Sequence, residues 1–333
     1  MSSKPKLSPE FLVEGRTDDL VQPFQIDRQG LRGRLVRLGA TVDAVLHRHA
    51  YPEPVARLLG EALVLAACLA SSVKYEGVFT LQARGDGALS LLVADVTSEG
   101  AMRGYAGYDA EALTALLAQD PQPTVARLFG GGYLAFTVDQ GDDTQRYQGI
   151  VELQGATLAE SVHHYFRQSE QIDTAIKLAC GPAGAGADGR LAWRAGALMV
   201  QRLPEQRLPE QPPLDVEGEP GPGSEEGWRR AVILLGSATA AEMLDPRLTP
   251  RELLFRLFHE DGVRVYRPRF LEERCRCGRG RVEKVLASLP REEVESLRED
   301  DERLVVTCQF CNRSESFTDA ELDRLYGESP ATH

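Results

Sequence analysis

The sequence predicts an α+β chain: an N-terminal domain of antiparallel sheet and helices, a helical linker, and a small C-terminal zinc-binding domain with four cysteine ligands. Three observations predict it. Between residues 18 and 201, runs of period-two alternation joined by turn residues are interspersed with helical patterns, as in an antiparallel sheet with helices. Residues 202–224 interrupt this with a Pro/Gly/Glu-rich stretch that has no means of forming a core. Near the C-terminus, Cys275-Arg276-Cys277 and Cys308-Gln309-Phe310-Cys311, separated by thirty residues, hold four of the six cysteines.

The elements follow in order. Residues 1–17 are polar and read as a flexible extension. Residues 31–38 alternate apolar with basic or small residues, as a half-buried strand does. Residues 42–49 read as a short helix stopped before Tyr51-Pro52, because the residue preceding proline disfavours the helical region. Residues 53–70 form a longer helix whose second half is almost wholly apolar, which predicts burial on most sides. Strands at 78–83 and 89–95 flank Arg84-Gly85-Asp86-Gly87, a hairpin turn. A second hairpin joins 133–139 to 146–153 through Gly141-Asp142-Asp143. Residues 158–169 are helical, and 174–179 with 191–200 form a last strand pair.

After the 202–224 insert, read as disordered, residues 228–243 return to helical character. Thr249-Pro250-Arg251-Glu252 opens a helix, with Thr and Glu in capping-box register and Pro at the first helical position. Leu253, Leu254, Leu257 and Phe258 line one face of that helix. They are too apolar to be left in water, so the 225–271 linker should cover a face of the N-terminal domain. If freed, that face and the linker would together form a client surface. The cysteine domain spans 272–327, with helices at 281–289 and 290–297 and a strand at 304–307 delivering Cys308. Thr318-Asp319-Ala320-Glu321 caps a final helix, and 328–333 is a tail.

Totals bound the function. At 333 residues the chain is long enough for two or three units. A net charge of −12 argues against a general nucleic-acid binder, whose affinity comes from neutralising phosphates. No apolar run approaches the ~18 residues of a membrane span. The N-terminus has no signal-peptide apolar region, so a cytoplasmic location is expected. In that reducing setting a CxC…CxxC array reads as thiolates on a metal.

Zinc favours four tetrahedral ligands with thiolate among them, and the CxxC pair has the usual knuckle spacing. A domain with so few apolar residues would draw much of its folding free energy from the metal, about 10–16 kcal/mol in comparable peptides. Spacing by itself leaves the purpose open, and most such sites are inert staples. The CxC half points elsewhere: a disulfide within it closes a strained, reducible ring, suited to reversible oxidation. Oxidation would eject the metal and unfold a domain that the metal folds.

These cysteines, with Val306-Thr307 before and Asn312 after the second pair, resemble the redox-regulated chaperone family heat-shock protein 33. The resemblance extends upstream in order. It takes in Arg32-Gly33-Arg34, His49-Ala50-Tyr51-Pro52, Leu58-Leu59-Gly60-Glu61, Lys74-Tyr75-Glu76-Gly77 and Met102-Arg103-Gly104. Arg146-Tyr147-Gln148-Gly149-Ile150-Val151 and Tyr165-Phe166-Arg167-Gln168-Ser169-Glu170-Gln171 complete it. It implies an ATP-independent holdase, not an enzyme, inactive when reduced and zinc-loaded. Cys275, Cys277, Cys308 and Cys311 would be the ligands of one Zn2+, and Cys275–Cys277 and Cys308–Cys311 the disulfides. Oxidation would release zinc, unfold the 225–271 linker, promote homodimerisation and expose a surface for unfolding client proteins. No nucleic-acid or membrane partner is implied. The chain departs from the family where Gly278 follows Cys277, where Ser314-Glu315-Ser316 precedes Phe317, and in the length of its insert.

Other candidates read more simply. Cys68 and Cys180 are small buried hydrophobes. His47, His49, His163 and His164 serve packing, and Ser169 lacks a nucleophile elbow. Two rival functions remain. A zinc-ribbon nucleic-acid or polymerase-binding module would use Arg274, Arg276, Arg279, Arg281 and Lys284 as a basic face. A thiol-disulfide oxidoreductase would use Cys308 and Cys311, but expects a CxxC opening a helix in a βαβ context.

Overall fold

The computed structural model describes residues 17–140, 147–185, 191–202, 224–297 and 303–327. The expected extension, the 203–223 part of the insert, the Gly141-Asp142-Asp143 turn and the tail lie outside the described residues. The chain divides into two compact units, 1–273 and 274–333.

The first unit is α+β with two antiparallel-based sheets. It opens with β1 (Leu20–Ile26) and β2 (Leu31–Leu38), then α1 (Ala40–Leu46) and α2 (Glu53–Ala70). Next come β3 (Val78–Gly85), β4 (Leu89–Thr97), β5 (Ala101–Tyr108), α3 (Ala110–Gln119) and α4 (Val125–Phe129). The hairpin β6 (Gly132–Asp139) and β7 (Tyr147–Glu152), α5 (Leu158–Tyr165) and a π-helix (Phe166–Glu170) lead to β8 (Thr174–Ala185) and β9 (Leu191–Arg202). The linker supplies α6 (Glu225–Ser237), α7 (Ala240–Leu244), α8 (Pro250–Phe258), β10 (Val263–Val265) and β11 (Arg269–Phe270), and β12 (Glu272–Glu273), at the start of the expected cysteine domain, still belongs to the first unit.

Sheet A runs β10-β1-β2-β9-β8, with β11 also on β1, and sheet B runs β12-β5-β4-β3-β6-β7. Helix α2 packs against strands of both sheets, so its run from Ala62 to Ala70 is buried on every side, as its composition requires. Its cluster takes Val36, Leu38, Ala197 and Met199 from sheet A and Leu81, Leu92 and Phe136 from sheet B.

The opposite face of sheet A belongs to the linker. Period-two alternation sends Phe24, Ile26, Leu31, Leu35, Leu198 and Val200 to that side, where they meet Ala231, Leu235, Met243, Leu253, Leu254 and Phe258. Phe24 and Phe258 stack at 5.7 Å with an interplanar angle of 22°. Gly33 lies directly under the Phe24 ring, where a Cβ would come within 2.0 Å of ring carbon, so the ring can lie flat on the sheet only at glycine. Helix α8 begins as its sequence dictates, with the Thr249/Glu252 capping box complete and Pro250 in its first turn.

Several elements differ from the sequence reading. Residues 228–243 are not one helix. The turn at Ala238-Thr239 splits α6 from α7, and Thr239 and Glu242 form a second capping box. The helix expected at 42–49 is α1, which ends at Leu46. Strands β1 and β5, a further strand at Ser314–Thr318 and helix α3 are additions that the sequence reading lacks. The strand residues mix apolar with Gly, Gln or Ser, so neighbours across the sheet settle their state more than local pattern does, whereas α3 has a local start signal in Asp109, which accepts from the Glu111 and Ala112 amides.

Two outcomes test this packing. Phe258→Ala should cost about 3–5 kcal/mol, read as faster amide exchange across α8. Burial pushes the Glu61 carboxyl up to about 7 against the pull of Arg57. A raised carboxyl stabilises the fold fully below its unfolded pKa of about 4.3, and that contribution is lost as pH rises through the folded value. Glu61→Gln should therefore gain urea stability over the parent at about pH 8 and little at about pH 5.

Candidate metal centre

The second unit is built on a hairpin and three short helices. Strands β13 (Arg303–Thr307) and β14 (Ser314–Thr318) pair from Arg303↔Thr318 to Thr307↔Ser314. Helices α9 (Arg279–Ala287), α10 (Arg291–Ser296) and α11 (Asp319–Gly327) pack around it. The buried core holds only Leu286, Val294, Leu304, Phe317 and Leu322 among the described residues. So small a core supplies little of the stability a unit needs, and units of this size usually add a metal or disulfides.

The hairpin turn carries one cysteine pair. The Cys308 amide donates to the Arg313 carbonyl at 2.9 Å, and the Asn312 amide donates to the Cys308 carbonyl at 2.8 Å. Asn312 takes a left-handed φ of 57°, which asparagine tolerates better than most residues. Both thiols thus project from one tight turn. The other pair lies on an extended segment that ends where α9 begins, just after Gly278.

The four Sγ atoms lie within 4.8 Å of one another. Cys275 and Cys308 sulfurs are 3.8 Å apart, and Cys277 and Cys311 sulfurs 3.2 Å apart. With Zn–S bonds of about 2.3 Å, the edge of a tetrahedral site is about 3.8 Å. Donor type, donor number and spacing therefore fit a soft divalent ion. Cys311 is buried and the other three are half-buried. Burial pushes the Cys275 thiol up, but hydrogen bonds from Cys277, Cys311 and Cys308 outweigh it and bring it down to about 7. The Cys277 thiol is pushed up by burial and by its thiol neighbours, Cys275 foremost in charge. The first negative charge in the cluster thus suppresses the next, which is the repulsion a cation relieves.

Arg279, two residues beyond Cys277, ties this segment to the rest of the unit. It donates to the Ser316 carbonyl at 3.0 Å, pairs with Glu321 at 2.7 Å and Glu283 at 3.2 Å, and covers the Phe317 ring at 4.4 Å. The rival nucleic-acid module would use it in a basic face, whereas here its guanidinium is engaged within the unit. The one local signal for its role is the Thr318/Glu321 capping box, which fixes where Glu321 stands.

Other sequence candidates lie elsewhere. Leu253, Leu254 and Phe258 are fully buried under sheet A's linker side, and Leu257 is partly buried beside them. Phe255, on the far side of α8, is 57% exposed. Cys68 and Cys180 are buried, and burial pushes both thiols up, Cys68 to about 12. His163 accepts from the Ile176 amide at 2.8 Å, and burial lowers its pKa, so it serves as a neutral packing group. Glu170 accepts the hydroxyls of Tyr147 and Tyr165 at 2.5 and 2.9 Å. Among the described residues, the four cysteines are the group able to hold a metal, and no helix is long and apolar enough to cross a membrane.

Comparison with known proteins agrees with this architecture. A family model described as Hsp33 protein matches residues 19–318. The 33 kDa chaperonin of Caulobacter vibrioides is 41% identical over 299 residues, 90% of this chain and 94% of its own. That of Azotobacter vinelandii is 39% identical over 309 residues, 92% and 94% of the two chains. The crystal structure of the 33 kDa chaperonin (heat shock protein 33 homolog) from Thermotoga maritima superposes with a TM-score of 0.71 at 25% identity. It covers 93% of this chain and 98% of that one.

Zinc titration of the reduced protein should show one tight site per chain. Cobalt loaded in its place should give the strong sulfur charge-transfer bands of tetrahedral thiolate ligation. Cys275→Ser should weaken affinity by about 100-fold or more, and a variant that keeps full affinity would remove Cys275 from the ligand set.

Proposed function

The chain belongs to the Hsp33 family, and from that premise we propose that it is a redox-switched, ATP-independent holdase for unfolding proteins. The observation that carries the reading is the four-thiol cluster in a unit whose own core, among the described residues, is five side chains. Such a unit folds only as well as its thiols are held together. When bound, zinc would keep the four sulfurs as thiolates and cross-link the CxC segment to the hairpin turn.

The thiolates are also the atoms an oxidant attacks. A peroxide-class oxidant would take two electrons from Cys275 and Cys277, forming their S–S bond while its own O–O bond breaks and its oxygens take up protons and leave as water or alcohol. A second equivalent takes two from Cys308 and Cys311. Four sulfurs are then lost as donors, and the unit loses the cross-link that compensates for its small core.

The linker follows by chain continuity. The last contacts before Arg274 are the two-residue strands β11 and β12, which pair Val21 with Arg269 and Met102 with Glu273, and the ion pair of Glu273 with Arg48 at 3.1 Å. Pairs this short hold weakly once the following residues are unfolded. Release of 225–271 would uncover Leu253, Leu254, Leu257 and Phe258 together with the sheet face beneath them. Two apolar surfaces would appear at once, enough for client capture and for homodimerisation of the oxidised chain. The reading places the protein in the cytoplasm, where reduced thiols are the resting state. The internal engagement of Arg279 weakens the nucleic-acid alternative, because that cation already has two carboxylates.

The test is peroxide treatment of the zinc-loaded protein at raised temperature. Zinc release, formation of the two disulfides and suppression of aggregation of an unfolding protein should rise together. Full zinc retention with no suppression in any redox state would sink the reading.

A further inference from the structure

The Leu58-Leu59-Gly60-Glu61 stretch of α2 takes no part in the redox switch proposed above. Gly60 lets α2 press onto β8, since a Cβ there would come within 2.2 Å of the Cys180 sulfur. Glu61, the next residue, is the inner end of a polar stripe. Glu53, Arg57 and Glu61 stand at i, i+4 and i+8 and share one face of the helix. Beyond Glu61 every residue of α2 is buried and apolar.

The stripe lines a cavity of about 610 Å³. Pro121, Gln122 and Pro123, between α3 and α4, line it as well, as do Ala156 and Thr157 at the start of α5. Leu58, Val125 and Leu128 supply apolar surface.

Glu61 is half-buried there and makes no hydrogen bond or ion pair among the described residues. The nearest cation is Arg57, one turn earlier, and its guanidinium is committed. It pairs with Glu53 at 2.7 Å and donates to the Cys180 carbonyl. Arg127, on α4, pairs with Asp120 at 2.5 Å. The rest of the lining is poor in donors. Pro121 and Pro123 have no N–H. The amides of Gln122, Val125 and Ala156 go to the Asp120 carboxylate at 3.2 Å, the Ala156 carbonyl at 3.0 Å and the Glu160 carboxylate at 2.7 Å.

A carboxylate withdrawn from water without a partner is costly, and burial pushes the Glu61 carboxyl up to about 7. The charges around the cavity point one way. Arg57 is offset by Glu53 and Arg127 by Asp120, while Glu160 adds a further negative charge beside Ala156. The cavity lacks a cation that brings its own donors, and its apolar sides fit a short hydrocarbon chain. A primary ammonium is compact, carries three donors and sits on such a chain.

We propose that this cavity binds an alkylammonium group, its head on the Glu61 carboxylate and its chain against Leu58, Val125 and Leu128. The site uses none of the four thiols and no linker residue, so it stands whether or not the protein is a redox chaperone.

The test is NMR titration of the full-length reduced protein at about pH 8, where carboxylate and amine are both charged. n-Butylamine should shift the amides of 58–61 and 125–128 and saturate with a Kd of about 1 mM or tighter. n-Butanol, of the same size and neutral, should bind about tenfold more weakly or less. Equal binding of the two, or no saturable binding of the amine, overturns the site without recourse to a variant. Glu61→Gln, expected to be the more stable protein at this pH, should lose about tenfold or more in amine affinity. Undiminished affinity in that variant overturns the assignment to Glu61. Nα-acetyl-lysine amide presents the same head on a peptide unit. Tighter binding than n-butylamine assigns the site to a lysine side chain, and weaker binding to a free amine, the alkylammonium reading standing in both.

Discussion

One sheet face needs a cover, and most of the first unit follows from that. Sheet A is apolar on both sides, with Val36, Leu38 and Ala197 turned to α2 and Phe24, Leu35 and Leu198 turned away from it. Helix α2 satisfies the first side. The second would leave several large side chains in water, each about 1.5–3 kcal/mol better buried. The linker helices supply the cover, and they have little other reason to be ordered: α7 is five residues long and α8 nine, too short to persist alone. Cover and covered face are therefore mutually dependent, and loss of one exposes both.

The cover is also held by polar contacts that differ in kind from its apolar packing. A fully buried guanidinium such as Arg37 is costly unless its donors are met, and the Asp245–Leu248 turn meets them with carbonyl oxygens. Removal of the linker thus exposes apolar surface and strips a buried cation of its acceptors. That double cost favours the closed arrangement of linker on sheet.

The second unit is built the opposite way. Its core among the described residues is five buried side chains, and its cysteine pairs come from the segment before α9 and a hairpin turn thirty residues apart. Beside the thiols, Arg279 joins those two pieces, bridging the end of the CxC segment to β14 and α11.

Local sequence determined a good deal. The capping boxes at Thr249 and Thr318 place helix starts because the side chain and the backbone amide it bonds are three residues apart. The apolar run of α2 announces burial, the hairpin pairs announce antiparallel sheet, and the cysteine spacing announces a site for a soft metal. What local sequence could not decide is long-range. Nothing near Arg37, Lys177 or Arg194 says that each meets a carbonyl from a distant part of the chain. Arg279 reads as one of several basic residues until Phe317 and Glu321 are brought beside it. Strands β1, β5 and β14 are weakly patterned and are strands because partners lie alongside. Short-range chemistry is written in residue spacing; the pairing of a buried cation with a distant backbone oxygen exists only after the chain has folded.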